Sequence, residues 1–160
     1  MTRTAIRPIL IAAPIAWVAA LVLATFVASR QAVGVPAYVV SAAVYQTGSL
    51  LCHQLPERSF YFGGAQLPVC ARCTGLYVGA AIAALVAASM RAATQRQIWN
   101  RARALLFVAA VPTAATLMYE WFSGSMPSHW IRAGAGLPLG AIVMLILLAA
   151  TTPESAVEIH

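Results

Sequence analysis

The chain alternates long apolar runs with short polar joints, and the lengths of those runs decide most of the expected architecture. The first run covers residues 8–28, behind Arg3 and Arg7. At roughly 1.5 Å per residue a helix of that length reaches across a hydrocarbon layer of about 30 Å. Its apolar core exceeds that of a signal peptide, and no A-x-A cleavage pattern follows. The second run, residues 33–51, is broken by Gly34, Pro36, Ser41, Tyr45, Gln46, Thr47, Gly48 and Ser49. Such a segment spans, re-enters, or lies along the interface. Three further helices are expected over residues 74–90, 104–122 and 131–150, with a short tail at 151–160. No internal repeat or low-complexity linker interrupts them. The pattern predicts an all-α integral membrane bundle of four to five transmembrane helices, forming one membrane-embedded domain over residues 1–160. An ordered loop at residues 52–74 carries its polar chemistry.

Composition sharpens this picture. Of 160 residues 61% are hydrophobic and 9% charged, with a mean hydropathy of +0.81, against about 25% charged residues in an ordinary soluble domain. The ten basic residues are all arginine, and the formal net charge is +6. In a membrane chain such charge sets orientation. Arg91, Arg96, Arg101 and Arg103 crowd one connection without an acid among them, so residues 91–103 are expected in the cytoplasm and the 52–74 loop on the outer side. Four full spans plus one partial helix also place Arg3 and Arg7 inside. A fifth span would put the N-terminus outside, against the same rule. No basic patch is interleaved with aromatics as in single-strand binders, so membrane lipid rather than nucleic acid is the expected partner.

Two helices carry small-residue stripes. Gly75, Gly79, Ala83 and Ala87 recur every fourth position, and Arg132, Gly136 and Gly140 make a second such row. Small residues at this spacing let helices approach closely, within the chain or in a homo-oligomer, and the second row also leaves room beside Arg132 for a ligand or headgroup. Pro112 and Pro138 are expected to kink their helices, with Thr113 or Thr116 satisfying the freed backbone groups.

All three cysteines fall between residues 51 and 77, in LCHQLPERSFYFGGAQLPVCARCTGLY. Cys70 and Cys73 form a C-x-x-C, and sixteen residues separate that motif from Cys52-His53. Two thiolates in such a turn share one tetrahedral ion, and a second ligand pair on a distant segment closes the site. The expected ligands are Cys52, His53, Cys70 and Cys73, with His129 as an alternative fourth. Zinc suits this set best, and soft thiolates also admit iron or copper. Two other readings stay open. Cys70 and Cys73 suit a membrane thiol–disulfide protein, with Arg72 and a helix start favouring thiolate, or they are structural. A small transporter is a further alternative, although no row of mid-membrane charges marks an ion path. There is no G-x-x-x-x-G-K-[ST] loop for a nucleotide-driven pump.

Beside the cysteines lie Glu57, Arg58 and the aromatic strip Ser59-Phe60-Tyr61-Phe62, followed by Gly63-Gly64, which reads as a tight turn. Glu57 is placed to pair with Arg58 or Arg72. The topology returns Tyr119, Glu120, His129 and Arg132 to this same end. Ions kept in so apolar a chain are functional candidates. Arg58, Arg72 and Arg132 together suit a phosphate or carboxylate, on an anionic or lipid-like substrate, because guanidinium groups bind such anions bidentately. Glu120 is the candidate catalytic base or a donor to the metal, its simpler role being to neutralise an arginine; whether the chain is an enzyme stays open.

The blocks Cys52-His53-Gln54-x-Pro56-x-Arg58-Ser59-Phe60 and Cys70-x-Arg72-Cys73-x-Gly75-x-Tyr77-x-Gly79, with a looser match at Glu120, Arg132, Gly136 and Gly140, resemble the prokaryotic family catalogued as domain of unknown function 2085. The resemblance extends from about Val44 to Leu148. That family has Asp where this chain has Glu120, and Thr where it has Ala135. It implies a small multi-pass protein of a bacterial or archaeal cytoplasmic membrane and supplies no activity.

Overall fold

The computed structural model describes residues 3–30 and 34–151; the expected tail, beyond Thr151, lies outside them. In chain order the elements are α1 (Arg3–Ala28), α2 (Val35–Leu51), a 3-10 turn (Pro56–Arg58), β1 (Ser59–Phe62), β2 (Ala65–Cys70), α3 (Ala71–Ala88), α4 (Ala92–Asn100), α5 (Ala102–Ser123) and α6 (His129–Ala150). Among the described residues four segments are long and apolar enough to cross a membrane: Ile6–Ala28, Ala71–Ala88, Ala102–Ser123 and His129–Ala150. The interrupted second run becomes the 17-residue α2, which is not among them. Among the described residues the architecture is therefore four candidate spans and two shorter helices, α2 and α4.

The most extensive pairing is α3 against α6, and its cause is the two glycine rows, which face each other. A Cβ on Gly75 would collide with the Ala133 carbonyl oxygen and one on Gly79 with that of Leu137. From the other side, Gly136 meets the Arg72 carbonyl and Gly140 the Leu76 carbonyl. Backbone thus lies on backbone, the contact that small residues permit. Farther along, Ala83, Ala84, Ala87, Met144 and Leu148 complete the buried seam. The proline expectation needs correcting. The Thr113 hydroxyl donates to the Ala135 carbonyl at 2.7 Å, whereas the groups freed by Pro112 and Pro138 belong to Val108 and Gly134. Thr113 joins α5 to α6 instead.

The arginine-rich connection is a helix. In α4, Gln95 is buried and donates from Nε2 to the Ala87 carbonyl at 3.2 Å, while Arg7 Nη2 reaches the same oxygen at 3.4 Å. The start of α1, the end of α3 and α4 therefore share one end of the bundle, with Arg91, Arg96, Arg101 and Arg103 exposed around it.

The opposite end carries a β-hairpin. β1 and β2 pair antiparallel, Ser59 against Cys70 and Phe62 against Ala65, with an irregularity after Ser59. Gly63 and Gly64 both take positive φ, 56° and 84°, as a two-residue turn between twisted strands requires. The preceding loop is clamped by side-chain amides. Gln54 donates from Nε2 to the carbonyls of Tyr45 at 2.8 Å and Pro68 at 2.6 Å. Gln66 Nε2 returns to the Gln54 carbonyl at 2.6 Å, and the Tyr45 hydroxyl donates to the Gln66 carbonyl. To make these bonds Gln54 adopts a φ of 49°, a left-handed conformation unfavourable for a side-chain-bearing residue. Glu57 is exposed and belongs to neither ion pair found among the described residues, so its expected pairing with Arg58 or Arg72 does not occur.

Candidate metal centre and arginine cluster

Three chain ends converge on the cysteines. Cys52 terminates α2, Cys70 terminates β2 and caps α3, and Cys73 sits in the first turn of α3. Their Sγ atoms all lie within 4.8 Å of one another, and all three are free thiols. The Cys70 backbone N–H donates to the Cys52 Sγ at 3.2 Å, while the Thr74 hydroxyl donates to the Cys70 carbonyl at 3.1 Å. Leu21, Val44 and Val69 pack around the sulfurs together with Trp17 and Tyr77. Cys52 is buried, and the other two are partly accessible.

The Cys70 thiol titrates at about 5, well below the ordinary thiol. The largest cause is a hydrogen bond from the Cys73 thiol; bonds from the Cys73 backbone, the Cys52 thiol and the Arg72 backbone add to it, against the opposing effect of burial. The start of a helix also favours negative charge on sulfur. At neutral pH Cys70 is thus set up as a thiolate with hydrogen-bond donors around it, as a soft cation or an electrophile requires.

His53 stands apart. It is exposed, and the grouping of potential ligand atoms among the described residues contains the three cysteines and no histidine. His129 lies against Phe60, with ring centroids 5.6 Å apart, and its buried Nε2 has no hydrogen-bond partner among the described residues. Among the described residues the cluster thus offers three sulfurs and no fourth protein ligand. Trp17 and Tyr77 were not singled out by the spacing of cysteines. Tyr77 belongs to the quoted C-x-R-C-x-G-x-Y block and follows Cys73 by one helical turn; Trp17 arrives from α1, which no local pattern connects to the motif. Their rings meet edge to face at 6.0 Å.

The arginines gather on another side of α3's first turn. Arg72 Nη2 donates to Glu120 Oε1 at 2.8 Å and to the Thr116 hydroxyl at 3.2 Å. Arg132 Nε lies 3.4 Å from the same Oε1 and is almost wholly buried, 1% exposed. Glu120 therefore stands between two guanidiniums as their shared counter-ion. Among the described residues Arg58 has no ion pair; it lines, with Glu120, an open cavity of about 550 Å³ whose other walls are Ala114, Leu117, Met118 and Trp121.

Comparison with known proteins agrees with this architecture. An uncharacterized protein of Methanocaldococcus jannaschii is 35% identical over 75 residues, 47% of this chain and 47% of the relative. An uncharacterized protein of Methanothermobacter thermautotrophicus is 36% identical over 94 residues, 56% of this chain and 78% of the relative. The chain thus spans about half the length of the first and about three-quarters of the second. No solved structure matches it. A family model described as "Predicted membrane protein (DUF2085)" matches residues 52–146, which takes in the cysteine trio, the hairpin and the arginine cluster. The chain belongs to that family of membrane proteins.

Proposed function

We propose that the protein is a membrane metal-binding protein whose ion is held by Cys52, Cys70 and Cys73 at one end of the bundle. The observation that carries this reading is the meeting of three thiol sulfurs, drawn from two distant segments, within 4.8 Å of one another. The amide clamp of Gln54 and Gln66 braces the two segments, so the donors are held in place before any ion arrives. Zinc is the leading candidate because thiolates bind it strongly without redox change; iron and copper(I) share the preference for sulfur. Three protein ligands leave the fourth position open for water or substrate, the pattern of a reactive rather than a closed structural site. His53 remains a fourth ligand only through rearrangement of its exposed loop. The proposed setting is a prokaryotic cytoplasmic membrane, with residues 91–103 inside and the cysteines at the outer face.

The test is metal analysis of untagged protein purified under reducing, chelator-free conditions, beside Cys70→Ser. About one ion per chain in the wild type, lost in the variant, is the expected result for a tight thiolate site. A metal-free wild type overturns the reading. In that event the same geometry favours a second one, because Cys70 and Cys73 stand one turn apart as free thiols. An external disulfide would then accept two electrons and two protons from the pair, closing a Cys70–Cys73 bond that thiol trapping in intact cells would detect.

A further inference from the structure

Three guanidiniums surround one carboxylate at the cysteine end of the bundle. Arg72 and Arg132 share Glu120 Oε1, and Arg58 borders the same carboxylate across the open cavity without an ion pair. The local sum is three positive charges against one negative. Buried or interfacial charge is stable only when paired and hydrogen-bonded, so an excess of two cations calls for another anion. The hydrogen-bond inventory points the same way. Among the described residues the Nε atoms of Arg58 and Arg72 and the Nε2 of His129 are buried without hydrogen-bond partners, and Arg132 Nε has only its 3.4 Å ion pair with Glu120.

Depth and shape identify the anion. Arg72 is the second residue of α3, Arg132 the fourth of α6, and Glu120 lies three residues before the end of α5. All three therefore sit where spanning helices meet the headgroup layer. From there the cavity follows one face of α5 through Trp121, Met118, Leu117 and Ala114. That i, i+3, i+4, i+7 row extends about 10 Å inward at the helical rise. Its side chains are exposed and apolar. A free phosphate ion has no use for apolar walls, whereas a lipid needs both parts.

We propose that Arg58, which lines the cavity, binds the phosphate of an anionic membrane lipid whose acyl chain lies in the groove along α5, with Arg72 and Arg132 behind Glu120 adding positive charge. Guanidinium forks match phosphate oxygens bidentately, and Glu120 limits the excess charge and keeps two of the forks in place. This site is distinct from the thiol cluster and depends only on the chain lying in a membrane.

Full-length protein is reconstituted in phosphatidylcholine vesicles containing a minor share of phosphatidylglycerol, extracted in neutral detergent, and its retained lipid identified by native mass spectrometry. Wild type is expected to retain phosphatidylglycerol over phosphatidylcholine by about tenfold beyond their supplied ratio, the scale of a charge-assisted contact. Arg58→Ala, which breaks no ion pair, is expected to abolish that preference, and Ala114→Trp, which fills the groove, to reduce retention of lipid. Equal retention of the two lipids overturns the proposal. So does displacement of the lipid by inorganic phosphate irrespective of the groove substitution, which would make the anion a soluble one. A cross-linked dimer through α5 carrying no lipid would assign the groove to a second copy and equally overturn it. Metal content, measured on the same samples, separates this outcome from that of the thiol centre: loss of lipid with metal retained concerns only the arginines.

Discussion

Arg72 and Cys73 are adjacent in the chain yet serve different neighbours, because successive helical positions are turned by about 100°. Cys73 faces the sulfurs and the aromatic pair from α1 and α3; Arg72 faces α5 and its carboxylate. Glu120 belongs wholly to the second group. Replacing it by Gln leaves Arg72 and the nearly inaccessible Arg132 without a negative partner, a loss of about 3 kcal/mol for a poorly hydrated pair. Glu120→Gln should therefore lower the melting temperature in detergent while metal content stays unchanged; loss of metal would instead make Glu120 a ligand. Cys70 offers a separate check on the metal-free protein. Its thiol is depressed to about 5, so the reactive thiolate predominates above that pH and is lost as pH falls through it. Alkylation by iodoacetamide, followed by peptide mass mapping, should reach half its limiting rate at Cys70 near pH 5. A midpoint near the ordinary thiol value of about 8.5 would mean that the donors around this sulfur do not persist in solution.

The pairing of α3 with α6 tests element-scale packing, because α6 carries glycines in opposite surroundings. Gly140 lies against the Leu76 backbone, whereas a Cβ on Gly134 would meet nothing within 4 Å. Gly140→Leu should separate the two helices and cost about 3 kcal/mol, the upper range for overpacking. Gly134→Ala should be neutral or stabilising by up to about 1 kcal/mol through helix propensity alone. Thermal unfolding of both variants in one detergent measures the contrast; equal effects would show that the glycine rows do not carry the contact. These rows were legible in the sequence because four-residue spacing maps directly onto one helix face, and the spans were legible because hydrocarbon thickness dictates their length. The hairpin was not. Pro68 interrupts the second strand, and proline ordinarily argues against a strand, so only the Gly63-Gly64 turn stood out. Likewise α4 is short and polar, and Gln95, buried in it, gives no apolar period to recognise. The gathering of Cys52, Cys70 and Cys73 was anticipated from ligand spacing. The detachment of His53 was not, since spacing says nothing of which way the residue after a helix end turns. Neutralisation of an arginine by Glu120 is legible in the sequence, but its joint contact with Arg72 and Arg132 depends on the crossing of three helices.

At the scale of the molecule the two ends differ in how their charge is handled. Around α4, Arg7, Arg91, Arg96, Arg101 and Arg103 stand with no acid among the described residues of that end, a sum of +5. At the hairpin end Arg30, Arg58, Arg72 and Arg132 are offset by Glu57 and Glu120, 4 − 2 = +2, and part of that charge is enclosed between helices. Translocating exposed guanidiniums is unfavourable, so the end with the larger unpaired sum is expected to stay in the cytoplasm. The link from Arg7 to the Ala87 carbonyl ties the start of α1 to that same end, and the four-span count follows from the same asymmetry. An epitope placed between Gly63 and Gly64, where the turn is exposed, should bind antibody on intact spheroplasts. The same epitope placed after Arg96 should bind only after permeabilisation. The reverse pattern would put the cysteines in the reducing cytosol, where a disulfide could not persist, and would leave metal binding as the chemistry available to those three sulfurs.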